Sequence, residues 1–291
     1  MFFLQNPPPA QVASAQPIGL TPEIRSKATA LEQAKDWDGL ADFLETLDPR
    51  SRGFLLEAWL RALKNANRLE RLLQVCEAAI PQLEPPNTPR LSTARIYRAQ
   101  ALSKLGRRAE AIAAYRQNGK LGDPTGLRNA CAVAQAGSDW PTLAELAKEL
   151  EPQAPFKKEA LLWQGESFFN QVRLAEAEAT FKACIQLDRA QPFAWAMLGA
   201  CLAARKAYPE ALEALDTAIS GDPTKPEPFF NRALVRFGLK QYAEGREDVL
   251  KAKALEPEDP GFRTRLDDNL RWVDKFLKSQ GQPVAPGPKP N

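Results

Sequence analysis

The sequence predicts an all-α fold, a solenoid of stacked antiparallel helix pairs with a C-terminal capping helix, and three observations point to it. The first is a set of residue columns that recur every 34 positions. Cys131, Gly165, Gly199 and Ala233 form one such column, and Leu143, Ala177, Ala211 and Gly245 follow it twelve positions behind. Large apolar residues keep the same step in Leu161, Trp195 and Phe229, and again in Phe181, Leu215 and Val249. Self-similarity at a fixed period of roughly 20 to 50 residues is the mark of a stacked repeat array. The second observation is a composition of 44% hydrophobic and 26% charged residues, enough apolar material to bury a core. The third is that proline-rich sequence without periodicity is confined to the two ends, so folding belongs to the middle.

The period has a physical origin. Two antiparallel helices approach closely only where the contact residues are small, which accounts for Gly or Ala in both halves of each unit. The bulky columns then fill the gaps between successive pairs. A single pair cannot bury its own apolar face, so several must stack and the last must be covered.

Taken in order, residues 1–20 carry four prolines and read as a disordered tail. Order is expected from Thr21-Pro22, a threonine N-cap followed by proline at the first helical position. Residues 21–50 and 52–85 have the rhythm of helix pairs, with Trp37 and Leu69 near their turns. PNTPRL at 86–91 reads as a small insertion. Units follow at 92–125, 124–157, 158–191, 192–225 and 226–259, and the step of 32 from Ala99 to Cys131 implies a tightened turn. Within 260–278, Phe262, Leu266, Leu270, Val273 and Leu277 share one helical face, the pattern of a capping helix. Arg263, Asp267, Asp268, Asp274, Lys275 and Lys278 are expected to face solvent. Residues 279–291 end as a second tail.

The segment 193–223 resembles a consensus tetratricopeptide repeat (TPR) through Trp195, Leu198, Gly199, Tyr208, Ala211, Ala218 and Pro223. Residues 226–259 are similar, through Phe229, Ala233, Tyr242, Ala252 and Pro257, with Gly245 in place of the usual alanine. The unit 158–191 keeps Gly165, Ala177 and Phe181 but has Arg189 where proline is expected. Ala99, Gly106, Ala111 and Tyr115 carry a weaker match at 92–125, and the earlier units keep few signature residues. The resemblance implies a right-handed superhelix with a concave groove lined by the first helix of each pair.

Chemistry is sparsely provided for. The chain contains no histidine, which removes Ser-His-Asp and Cys-His nucleophiles, histidine metal ligands and ordinary haem ligation. Cys76, Cys131, Cys184 and Cys201 form no C-x-x-C pair and read as buried free thiols in a reducing compartment. Gly119-Lys120 lacks the remainder of a phosphate loop. Gly-Asp-Pro at 122–124 and at 221–223 reads as a helix end followed by a proline that starts the next helix. Asp267-Asp268 lies on an exposed face rather than in a cleft. Neither an enzyme, a metal site nor a small-molecule cofactor is expected. The net charge of +3, without a dense basic run, argues against nucleic acid. No stretch approaches the length of a membrane span, and no secretory leader is visible, so the expected compartment is the cytoplasm.

The expected function is therefore non-catalytic: a scaffold or assembly adaptor that holds an apolar or amphipathic segment of a partner protein. Register within the implied groove places Glu159, Leu162, Glu166 and Phe169 there from one unit, Phe193, Ala196 and Ala200 from the next, and Glu227, Phe230, Leu234 and Phe237 from the last. Phe230 follows the core residue Phe229, and adjacent helical residues diverge by about 100 degrees, so Phe230 is expected to turn outward. The family's carboxylate clamp for acidic tails needs Lys, Asn and Arg at positions where this sequence has none. The alternatives are an accessory subunit of an enzyme complex and a nucleic-acid-binding helical repeat; the latter would have a 35-residue period and a basic groove.

Overall fold

The computed structural model describes residues 20–83, 89–255 and 257–284. Most of the expected tails at 1–20 and 279–291, and part of the expected insertion at 86–91, lie outside the described residues, while Ser279 ends the last helix. The chain divides into two compact units, up to Ala114 and from Tyr115 onward. Among the described residues the secondary structure is helical throughout.

The first unit contains α1 (Pro22–Gln33), α2 (Trp37–Glu45), α3 (Pro49–Phe54), α4 (Leu56–Asn65), α5 (Leu69–Leu83), α6 (Pro89–Lys104) and the start of α7 (Arg108–Lys120). Helix α1 begins as its cap signal dictates: the Thr21 hydroxyl accepts from the Ile24 N–H at 3.4 Å, and Pro22 occupies the first turn. The Asp48 carboxylate caps α3 in the same way. Helix α4 packs against α2, α5 and α6. Its face of Leu56, Trp59, Leu60 and Leu63 is buried, together with Leu40 and Leu44 from α2 and Leu72 from α5.

The second unit continues with α8 (Pro124–Ala136), α9 (Trp140–Leu150), α10 (Lys157–Asn170), α11 (Leu174–Leu187), α12 (Pro192–Ala204), α13 (Tyr208–Gly221), α14 (Pro226–Gly238), α15 (Tyr242–Ala254) and α16 (Pro260–Ser279). Each second helix packs on its own partner and on the first helix of the next pair: α9 on α8 and α10, α11 on α10 and α12, α13 on α12 and α14. Helix α12 also meets α10 and α14, so successive first helices run side by side.

The small columns mark the closest approaches. A Cβ on Gly199 would lie 2.6 Å from Leu215 Cγ and 3.3 Å from the Ala211 carbonyl oxygen; one on Gly165 would lie 2.7 Å from the Phe181 ring. Gly245 replaces alanine because the Phe237 ring occupies the space that a Cβ there would need, 2.5 Å away. The tightened step after α7 has the same cause. Gly126 sits where a Cβ would come within 2.6 Å of the Tyr115 carbonyl oxygen.

Two details differ from expectation. Pro124 does start α8, but Pro223 lies in a turn and Pro226 starts α14. The Asp222 carboxylate holds that turn by accepting from the Thr224 N–H at 3.0 Å, as Asp188 does from Ala190 at 3.0 Å in the preceding unit, where arginine replaces the proline. A side-chain acceptor two residues before its donor makes the turn without needing proline. The second difference is Asp274. Rather than facing solvent freely, it accepts from Arg246 Nε at 2.6 Å, tying α16 to α15 beside the buried Phe262, Leu266, Val273 and Leu277.

A backbone feature invisible to residue-type patterns recurs in every pair. Lys35, Asn67, Gly106, Ser138, Val172, Lys206 and Lys240 all have φ between 54° and 77°. Each stands one residue beyond the C-cap of a first helix. In each, the N–H bonds three residues back and the following N–H five residues back, as in Val172 to Phe169 (2.9 Å) and Arg173 to Phe168 (2.8 Å). This is the Schellman termination, which favours glycine. Here glycine appears once, so the turn shape is imposed by the packed helices. Val172 is the most strained of the set, a β-branched residue at φ 61° whose side chain is 76% exposed. Since left-handed backbone costs an L residue about 1–2 kcal/mol and little packing is lost, Val172→Gly is expected to raise the unfolding free energy by about 1 kcal/mol. Urea denaturation checks this, and an unchanged or lowered midpoint contradicts it.

Candidate functional site

The first helices α10, α12 and α14 of the second unit carry every residue that register assigns to the groove. Their sequence neighbours at the small and bulky columns point into the core, which leaves these positions on a different face. The structure joins that face across α8 and α10 by polar contacts. Arg128 Nε donates to Glu159 at 2.9 Å, Gln135 Nε2 donates to Glu166 at 2.6 Å, and the Trp163 indole N–H donates to Gln135 Oε1 at 3.0 Å. Burial raises the Glu166 pKa above the usual carboxylate range, with the Gln135 hydrogen bond pulling the other way. Arg128 pairs with Glu159, which raises the guanidinium pKa.

Arg128 and Gln135 were not assigned by sequence reasoning, because the unit 124–157 carries few signature residues. The signal was nevertheless present: they stand one 34-residue step before Leu162 and Phe169.

The assigned residues separate into groups. Leu162 and Phe169 are half-buried against the cluster around Phe181 and Leu198, and Glu166 is half-buried beside Gln135. Ala196 is buried and Ala200 partly so. Glu227 is exposed, and Phe193 and Leu234 stand 45% and 42% exposed. Phe237 is half-buried and meets Trp272 edge-on at 5.4 Å, closing the space between α14 and α16.

Phe230 corrects the expectation drawn from helical geometry. It is 7% exposed and sits edge-on to Phe262 at 5.3 Å, in one cluster with Phe229. The 100-degree divergence from Phe229 is real, but Phe262 of α16 covers the direction that Phe230 takes. A capping helix turns what would be groove surface into core.

Among the described residues no group of His, Cys, Asp and Glu side chains is placed as a metal site requires, and no helix is long and apolar enough to cross a membrane. All four cysteines are buried free thiols, and burial pushes those of Cys76, Cys131 and Cys201 up to about 12.

Comparison with known proteins agrees with this architecture. The tetratricopeptide repeat family model matches residues 142–193 and 187–226. Hsp70-Hsp90 organizing protein 2 of Arabidopsis thaliana is 27% identical over 123 residues, which is 42% of this chain and 21% of that protein. The chain thus spans about a fifth of that relative's length. A thermophilic TPR protein of Thermus thermophilus superposes with a TM-score of 0.50 at 18% identity, over 62% of this chain and 99% of its own. YrrB, a TPR protein with an unusual peptide-binding site, gives a TM-score of 0.49 at 16% identity over 70% of this chain and 97% of its own. With their 34-residue columns, their stacked helix pairs and this family match, residues 142–226 are tetratricopeptide repeats.

Proposed function

We propose that α8, α10, α12 and α14 hold a segment of a partner protein, without catalysing a reaction, as a scaffold or assembly adaptor. The observation that carries this reading is the exposure of Phe193 and Leu234 on neighbouring first helices of well-formed repeats. The packed stack leaves them uncovered, and apolar side chains held on adjacent rigid helices gain free energy when a partner's apolar residues cover them. The partner segment is amphipathic. Its apolar side meets Phe193 and Leu234, and its polar side meets Arg128, Glu159 and Glu166. Three carboxylates on this face, Glu159, Glu166 and Glu227, disfavour an acidic tail. The similarity to an Hsp70-Hsp90 organizing protein supports a role in bringing proteins together. The buried free thiols support a reducing compartment such as the cytoplasm.

Aspartate at both Phe193 and Leu234 is expected to abolish partner capture while leaving the melting curve in place, because neither side chain belongs to the core. Affinity-tagged wild type, the double variant and a control with Ala204→Asp, an exposed position at the end of α12, would be compared by pull-down and mass spectrometry. Proteins enriched by wild type and by the control should be lost from the double variant. The same proteins recovered with all three would overturn the assignment of this face.

A further inference from the structure

We propose that the cavity between α3, α4 and α5 in the first unit binds a monocarboxylate with an apolar body. The cavity has a volume of about 350 Å³, within the roughly 300–1,000 Å³ range of small-molecule sites. Its apolar wall includes Pro49, Leu56, Val75 and Ala79, and its polar side chains include Arg52, Arg71 and Gln74. Among the described residues no acidic side chain lines it.

The two arginines are unequally satisfied. Arg71 Nε bonds Glu45 at 2.8 Å and its Nη1 reaches Gln74 at 3.3 Å. Arg52 donates from Nη2 to the Leu47 carbonyl oxygen at 2.7 Å, its Nε is buried without a hydrogen-bond partner, and no carboxylate among the described residues pairs with it. Both guanidinium groups lie over the Trp59 ring, at 5.1 and 5.7 Å from its centre. Trp59 itself lines the cavity, is 7% exposed, and its indole N–H also lacks a partner.

Among the described residues, two cations against one Glu45 carboxylate leave one positive charge beside the cavity. Two donors, on Arg52 and Trp59, are withdrawn from water with nothing to accept from them. An unmade hydrogen bond of that kind is costly, and a carboxylate in the cavity would match the single charge and give the Arg52 guanidinium an acceptor. The apolar wall takes the remainder of the ligand. That chemistry is shared by a free aliphatic acid and by the C-terminal residue of a peptide ending in an apolar side chain.

Isothermal titration of the full chain tests this with octanoate, with octan-1-ol, and with acetyl-Ala-Leu-Leu as free acid and as C-terminal amide. At least one acid is expected to bind saturably with one-to-one stoichiometry, its neutral counterpart at least about tenfold more weakly. Which acid binds tells a free carboxylate from a chain terminus. Arg52→Met, which keeps the aliphatic stem, should weaken the acid by a similar factor. Trp59→Phe provides a second variant should Arg52→Met fail to fold. Neutral analogues binding as tightly as the acids, undiminished binding by folded Arg52→Met and Trp59→Phe variants, or no binding by either acid would overturn the proposal.

Discussion

Replacing Phe181 with alanine is expected to lower the unfolding free energy by roughly 3–5 kcal/mol, the cost of emptying an aromatic-sized site in a packed core. Phe181 is fully buried, and its ring occupies the space over Gly165 where a Cβ would sit 2.7 Å away. Neither α10 nor α11 can move in to fill the void without disturbing its contact with the neighbouring pair. The same geometry predicts coupling. Gly165→Ala pushes into the ring and should cost roughly 1–3 kcal/mol. Combined with Phe181→Leu, whose smaller side chain leaves room for the new methyl, it should cost measurably less than the two changes summed. Urea denaturation followed by circular dichroism measures the wild type and all four variants. A Phe181→Ala loss below about 1 kcal/mol, or strict additivity of the pair, would show that these residues are not in contact.

The second large effect belongs to the last pair of helices. Asp248 is buried with its carboxylate between two arginines: Arg232 approaches at 2.6 and 2.9 Å and Arg236 at 2.8 Å. Arg232 also reaches the exposed Asp216 at 2.6 Å, and its carboxylate partners hold its pKa up against burial. Asp248→Asn removes the one charge that both guanidinium groups share inside the structure. Breaking a buried pair from one side leaves an uncompensated charge, so the expected loss is roughly 3–5 kcal/mol. The pair of Arg271 and Asp268 on α16 provides the contrast. Both side chains are largely exposed, and Asp268→Asn should change stability by no more than about 1 kcal/mol. Equal denaturation midpoints for the two aspartate variants would overturn this account of α14 and α15.

The small columns were legible because helix contact leaves a chemical mark: where backbones meet, only Gly, Ala or another compact side chain fits, and Gly165, Gly199 and Ala211 declare themselves by type. The face of α16 was legible for a similar reason. Phe262, Leu266, Leu270, Val273 and Leu277 must be apolar to cover a neighbour, and four of the five are fully buried with Leu270 partly so. The turns were not legible. Lys35, Val172, Lys206 and Lys240 adopt the left-handed backbone without being glycine, because the geometry is forced by the helices on either side. Nor could Arg128 and Gln135 be recognised by type, since positions outside the packing columns are free of the constraint that makes a column recur.

Phe230 marks the boundary between the two kinds of information. The sequence by itself determined the helical class, the 34-residue period, the residues where helices touch and the capping helix, all consequences of short-range periodicity and steric exclusion. Only the tertiary structure decided which outward-facing residues remain outward. Phe193 and Leu234 stay exposed while Phe230, at a groove position by register, is covered by Phe262. Helical spacing fixes the direction in which a side chain leaves its own helix; whether that direction ends in water or against another helix depends on elements that pack there from elsewhere in the chain.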